Sequence, residues 1–316
     1  IKLLVKMVLG LSLLLWMSYA IFRHVKRQIN LEATMEQVKD SFGSQGWFLL
    51  LFVFLLMILN WTIEAIKWRF LVKATEPLTI PQALQSVLTG VAVSMITPNR
   101  IGEYMGRILH LRNVHKLHGI TLTIVGSFAQ WMVTSFLGLV GLMYYLMFIQ
   151  SSTWLLVFVV ISAILFIVLG YFYFHLAFLV EWIKRFAFLK RVRVYLQVVL
   201  QFDRRKLVQL LFFSLARYFV YTLQFIILMH LFLVKAPFVS LLATIWLVFW
   251  AMAIIPTIAI AELGIRGETA LFFLLPLCNN SFGIVSSTVA LWLINLILPS
   301  IIGCLFIYRI KIYDDE

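Results

Sequence analysis

The sequence predicts an all-α fold: a polytopic membrane helical bundle with six full spans and two re-entrant helical hairpins, arranged as an inverted repeat. Three observations predict it. Of 316 residues, 63% are hydrophobic and 12% charged, with a mean hydropathy of +1.01. Several apolar runs exceed the roughly 18 residues that suggest a membrane span. Two more apolar stretches end at a proline followed by charged residues, and a short motif recurs where each of them begins.

The first apolar run, 3 to 22, is preceded by Lys2 and Lys6 and followed by Arg23 rather than by a small-residue cleavage site. It is therefore expected to be a retained helix and not a cleaved signal peptide. Further spans are expected at 47 to 70, 120 to 149, 153 to 176, 207 to 234 and 284 to 308. The interrupted stretches run from Thr79 to Thr97, before Pro98, and from Phe238 to Ile255, before Pro256. At about 1.5 Å per residue each arm is roughly 25 to 28 Å long, so it nearly matches a hydrocarbon core of about 30 Å. Length alone does not decide whether such an arm crosses or turns back.

Charge does. With a cytoplasmic N-terminus and both broken stretches returning to the side they entered, the cytoplasmic face receives nineteen Lys and Arg and the outer face six, while Arg217 lies inside a span. That distribution follows the positive-inside rule. The expected location is a bacterial-type cytoplasmic membrane with both termini cytoplasmic. The motif "FLVKA" occurs at Phe70–Ala74 and again at Phe232–Ala236, each time where a span ends and a broken stretch begins. Residues 1–149 and 150–316 both read span, span, hairpin, span, and the two copies fall on opposite faces. That is the inverted-repeat pattern in which interrupted helices mark the binding site of many transporters.

The charged residues at the breaks carry the functional expectation. In "SMITPNRIGEYMGRILHLR", Thr97 is a candidate N-cap with Pro98 at the first helical position, so a helix is expected from about 98 to 112. Arg100 adds charge to its electropositive N-terminus, and Glu103 with Arg107 forms an i, i+4 pair. The second break, "IIPTIAIAELGIRGETA", has Pro256, the i, i+4 pair Glu262 and Arg266, and Glu268 where a new helix is expected to start. Backbone N–H groups with a guanidinium fork suit phosphate oxygens. A second reading stays open, in which the two Glu–Arg pairs neutralise each other and hold the hairpins together.

These two stretches resemble a known family. "TPNRIGE" is similar to the Pro-x-Arg-x-Gly-Glu signature, and "ELGIRGE" to the Gly-x-Arg-Glu signature, of the transmembrane module of lysylphosphatidylglycerol synthases and its stand-alone flippase-like relatives. Pro98, Arg100, Gly102 and Glu103 match the first; Gly264, Arg266 and Glu268 match the second, with Gly267 intervening and Ala261–Glu262 standing where a glycine pair is often found. The resemblance implies a lipid-translocating fold; together with the charges and prolines at the breaks it gives a candidate substrate site of Arg100, Glu103, Arg107, Glu262, Arg266 and Glu268, with helix breaks at Pro98, Gly102, Pro256 and Gly264. Its partner would be a phospholipid or a polyprenyl-phosphate lipid. No segment of the chain resembles the soluble aminoacyl-transferring domain of the synthases.

Inside the spans, Arg217 costs roughly 2.5 to 3.5 kcal/mol if left at the bilayer centre, so it should face the interior and find a partner, with Glu64 the first candidate. Asn60, Gln130, Gln224, His230 and Asn295 are expected to make interhelical hydrogen bonds. His110, His115 and His118 are expected at the interface. The segment 181–206, with eight basic residues among aromatic and aliphatic ones, is expected to lie on anionic inner-leaflet lipid. Its place between spans argues against nucleic acid as the partner of the net charge of +13. Cys278 and Cys304 have no metal or redox spacing, and no catalytic set, metal motif or nucleotide loop is visible. No cofactor is expected. A lipid translocase is the leading expectation, ahead of a non-transporting lipid-binding partner of a lipid-modifying or glycosyl-transfer enzyme and of a membrane enzyme; homo-oligomerisation stays open.

Overall fold

The structure, a computed structural model, describes Tyr19, 22–23, 25–26, 31–95, 97, 100–111, 116–184, 197–255 and 259–308. Nearly all of the expected span 3 to 22, together with Pro98, Pro256, Arg112, His115, residues 185–196 of the basic segment and the acidic tail, lies outside the described residues. Among those described there is no β-strand.

After α1 (Leu31–Ser41), five helices are long and apolar enough to cross a membrane. They are α2 (Ser44–Val72), α5 (Lys116–Phe148), α6 (Thr153–Phe174), α8 (Arg204–Leu231) and the run Ser281–Tyr308. This is a multi-pass membrane protein. The last run consists of α11 (Ser281–Trp292), a π-helical turn (Leu293–Ile297) and α12 (Leu298–Tyr308). Pro299 explains the wide turn: it has no N–H to offer the carbonyl four residues back, and its ring crowds that carbonyl. On α6 only Ser162 and Tyr173 are buried, and Ile161, Ile164, Leu165 and Ile167 are exposed. Such a surface is what a helix presents to lipid tails.

The interrupted stretches form two helix–break–helix elements: α3 (Ile80–Met95) with α4 (Gly102–Ile108), and α9 (Phe238–Ile254) with α10 (Ala259–Leu274). Each first helix stops just before its proline, because the residue preceding proline is pushed out of the helical region. Ile255, before Pro256, is extended at φ −71°, ψ 114°. In both elements the second helix packs against the first. Between them come the short α7 (Leu176–Lys184) and a 3₁₀ turn at Gln197–Gln201.

The chain divides into two compact units, and each combines residues from both sequence halves. The first comprises residues up to Ile58, Leu137–Val159 and Val220–Ile297. Its core joins Val53, Phe225, Leu228, Ile245, Leu271 and Ile284, and Gln224 Nε2 donates to the Val53 carbonyl at 3.0 Å. Leu233, within the second "FLVKA", has φ 58°, and the Asn280 amide donates to the carbonyls of Phe232 and Leu233 at 3.0 and 3.1 Å.

The second unit comprises Leu59–Phe136, Val160–Phe219 and the residues from Leu298 onward. It contains the α3–α4 hairpin, which is drawn together by glycine. A Cβ on Gly106 would lie 2.6 Å from Gly90 Cα and 2.7 Å from the Thr89 carbonyl oxygen, and one on Gly90 would lie 2.9 Å from Arg107 Cγ. Close backbone approach therefore sets where Arg107 points. Substituting Gly106→Ala is expected to destabilise the protein by about 1–3 kcal/mol through overpacking. Gly170→Ala, whose Cβ would meet only Met132 Cε at 3.5 Å, is expected to be neutral or stabilising. Thermal unfolding of the detergent-solubilised variants compares the two; equal melting temperatures would show that the hairpin is not so tightly held.

Candidate functional site

On α2, Asn60, Trp61, Glu64, Lys67 and Trp68 fall at helical spacing on one face, and all are buried. That stripe of polar and aromatic residues on an apolar helix turns inward because burying unpaired charge against lipid is costly. In the second unit it meets Glu103 and Arg107 of α4 and Arg217 of α8. Glu64 is the hub: its Oε2 accepts from Lys67 Nζ at 2.7 Å and from Arg217 Nη1 at 3.1 Å, and its Oε1 accepts from Arg107 Nη2 at 2.7 Å. Arg107 Nη2 also donates to Glu103 Oε1, and Arg217 Nε donates to Asn60 Oδ1 at 3.0 Å. The Arg107 guanidinium lies 5.5 Å from the Trp68 ring centroid and that of Arg217 lies 5.0 Å from Trp61. The Ser86 hydroxyl donates to the Arg107 carbonyl at 2.5 Å, tying the backbone of α4 to α3. The partner expected for Arg217 is thus the one it has.

The first unit holds a simpler arrangement. Arg266 Nε and Nη2 donate to Glu262 Oε1 at 3.0 and 2.7 Å, one turn apart on α10, and the Tyr221 hydroxyl is a further polar neighbour of Arg266. Glu103 and Glu262 both sit in the first turn of their helices, where a carboxylate complements the electropositive end.

Several expectations change. The helix after the first break starts at Gly102, not near residue 98, because Arg100 has a left-handed φ of 56° and interrupts helical geometry. The N-cap is Ile101, without a side-chain cap bond, and not Thr97, whose hydroxyl instead accepts from Gly102 N at 2.7 Å across the break. Glu268 starts no helix, and Gly264 breaks none: both lie inside the continuous α10. A single glycine costs a helix only about 1 kcal/mol, which packing overrides. Lys67, near the end of the expected span 47 to 70, is buried to 2% exposure beside Glu64. The Glu64–Lys67 spacing of three was its available signal. Arg107, expected to meet substrate, is held by two carboxylates. Arg100 is partly exposed, at the break itself.

Among the other polar residues, His230 is exposed, and Asn295 Nδ2 donates to the Leu291 carbonyl of its own helix at 3.2 Å. His110 is half-buried and 2.8 Å from the Thr89 hydroxyl, and burial pushes its imidazole below the usual pKa. Among the described residues no group of His, Cys, Asp and Glu is placed to hold a metal ion.

The family described as lysylphosphatidylglycerol synthase TM region matches residues 3–303. No curated protein matches the chain.

Replacing Glu64 by Gln leaves three clustered cations, two of them buried, facing Glu103 as their one remaining carboxylate among the described ion pairs, and is expected to cost about 3–5 kcal/mol of stability. Adding Lys67→Met removes one of the stranded charges and is expected to recover a measurable part of that loss. A double-mutant cycle on thermal unfolding in detergent reads the coupling; strictly additive effects would show that the two charges do not interact.

Proposed function

Because the chain belongs to the lysylphosphatidylglycerol synthase transmembrane-region family, a membrane module related to lipid synthesis and translocation, we propose that it is a flippase-like lipid translocase, and not itself an enzyme. Its cargo is an anionic phospholipid or a lipid-linked phosphate moved between the leaflets of a bacterial-type cytoplasmic membrane. One observation carries this reading: a five-charge cluster, with a carboxylate binding three cations, draws on α2 and α8, two helices long and apolar enough to cross a membrane. Ionisable groups at membrane depth are expensive, and they mark the places where polar cargo is handled. In this reading the two helix–break–helix elements are re-entrant, and the run 3 to 22 is counted as a sixth span. The succession α2, α3, α4, α5 recurs in order as α8, α9, α10 and α11–α12, and in this reading the second copy is inverted, a pattern shared with transporters. A headgroup phosphate exchanges water for guanidinium groups while its acyl chains stay in the bilayer. The driving force is a gradient, the membrane potential or a partner.

A second reading has its own support. Arg107 and Arg266 are each neutralised by a carboxylate one turn away, which suits a module that holds lipid beside a lipid-modifying or glycosyl-transfer enzyme without moving it.

Reconstitution separates the two. In vesicles, the wild type is expected to accelerate transbilayer movement of labelled phosphatidylglycerol over empty vesicles. Arg100→Gly, which keeps the φ 56° backbone accessible while removing the charge, is expected to slow it about tenfold, equivalent to about 1.4 kcal/mol. Movement no faster than in empty vesicles would sink the translocase reading and favour the lipid-holding one.

A further inference from the structure

Around Glu64, the cations Lys67, Arg107 and Arg217 face two carboxylates, Glu64 and Glu103, so the cluster holds one positive charge in excess. The two carboxylates are not equivalent. Glu64 is 3% exposed and bridges all three cations, whereas Glu103 is 29% exposed and pairs with Arg107. On Arg107 a single nitrogen, Nη2, serves both acids, while the buried Nε has no hydrogen-bond partner. The Trp68 and Trp61 indole N–H groups, on the rings beside Arg107 and Arg217, are likewise buried without partners, as is the Ser214 hydroxyl one turn before Arg217. Guanidinium and indole nitrogens are donors only. Unmet donors around surplus positive charge call for an acceptor with several oxygens.

We propose that the Glu103 carboxylate is a built-in counter-ion which occupies the anion position on Arg107, and that a phosphate group displaces it. Glu103 reaches the guanidinium from one turn earlier on its own helix through a single oxygen. A phosphate takes both Nε and a terminal nitrogen, the bidentate geometry for which the fork is built. A phosphodiester carries one negative charge, as the displaced carboxylate does, so the exchange leaves the charge of the cluster unchanged while satisfying an orphaned donor. Glu64 remains in place and keeps the three cations together throughout. Glu103, partly exposed on a seven-residue helix, is free to swing outward. For a lipid source of the phosphate this inference rests on the lipid-handling reading above; the ion exchange itself does not require transport.

The test uses the full chain in detergent and measures retention of labelled phosphatidylglycerol, with labelled diacylglycerol as the phosphate-free control. Glu103→Gln is expected to tighten phosphatidylglycerol binding about tenfold, because the internal competitor is gone, and to leave diacylglycerol unchanged. Adding Arg107→Lys, which keeps the charge and loses the fork, is expected to remove most of the gain. Displacement of the labelled lipid by millimolar inorganic phosphate supports the site and assigns it to free phosphate as well; failure to displace supports a lipid headgroup as the source. Unchanged or weaker phosphatidylglycerol binding in Glu103→Gln overturns the proposal, as does an equal gain for diacylglycerol or a gain that survives Arg107→Lys. Should Glu103→Gln not fold, Glu103→Asp, whose shorter arm withdraws from Arg107, is expected to tighten binding several-fold, and no gain there overturns the proposal too. Tightening in the absence of vesicle transport removes the translocase reading alone, and transport without tightening removes this one alone.

Discussion

A single carboxylate, that of Glu64, holds three cations that have no other means of being buried together. Coulomb repulsion among Lys67, Arg107 and Arg217 would separate α2, α4 and α8 in the second unit were Glu64 absent. The desolvation of each group is repaid only when several hydrogen bonds are made at once, which Glu64 achieves with both of its oxygens. The surrounding sequence serves the same constraint. Gly90 and Gly106 let α3 and α4 touch so that the Arg107 stem passes at van der Waals distance, and Trp68 and Trp61 supply electron-rich faces against the two guanidinium groups.

Much of this was legible before any coordinates. Apolar runs located the five described spans to within four residues, since a span's length is dictated by the bilayer and its composition by the lack of water there. Arg217 and Glu64 were paired because a lone charge inside a span must find an opposite one. The i, i+4 Glu–Arg pairs were visible as well, since helical spacing puts them on one face.

What escaped reading depends on tertiary context. Lys67 lies near the end of an apolar run, where a lysine ordinarily extends its stem toward headgroups; only the convergence of α4 and α8 on Glu64 makes its burial favourable. The start of α4 was misplaced because a proline suggests a first helical turn, while the left-handed backbone at Arg100 delays that turn to Gly102. Glu268 and Gly264 looked like a second break because glycine and a new acid follow one another there. Yet α10 is long enough, with Ile265, Ala270 and Leu271 buried, for packing to override one glycine.

The comparison of the two Glu–Arg pairs shows where the surplus charge originates. In both, the acid precedes the base by one turn, the order that the helix dipole favours, and each pair is neutral by itself. The Glu262–Arg266 pair therefore adds no net charge in the first unit. In the second unit α2 adds one acid and one base, Glu64 and Lys67, again neutral as a pair. The unbalanced charge enters with Arg217 of α8, which is 22% exposed and has already drawn on Glu64 and Asn60. The positive field that an incoming anion meets is thus set by a residue outside both break motifs, while the exchange itself takes place at Arg107, where a partly exposed acid can leave and a donor is waiting. Separating the source of the field from the point of exchange lets the cluster take up a negative group without losing the carboxylate that holds it together.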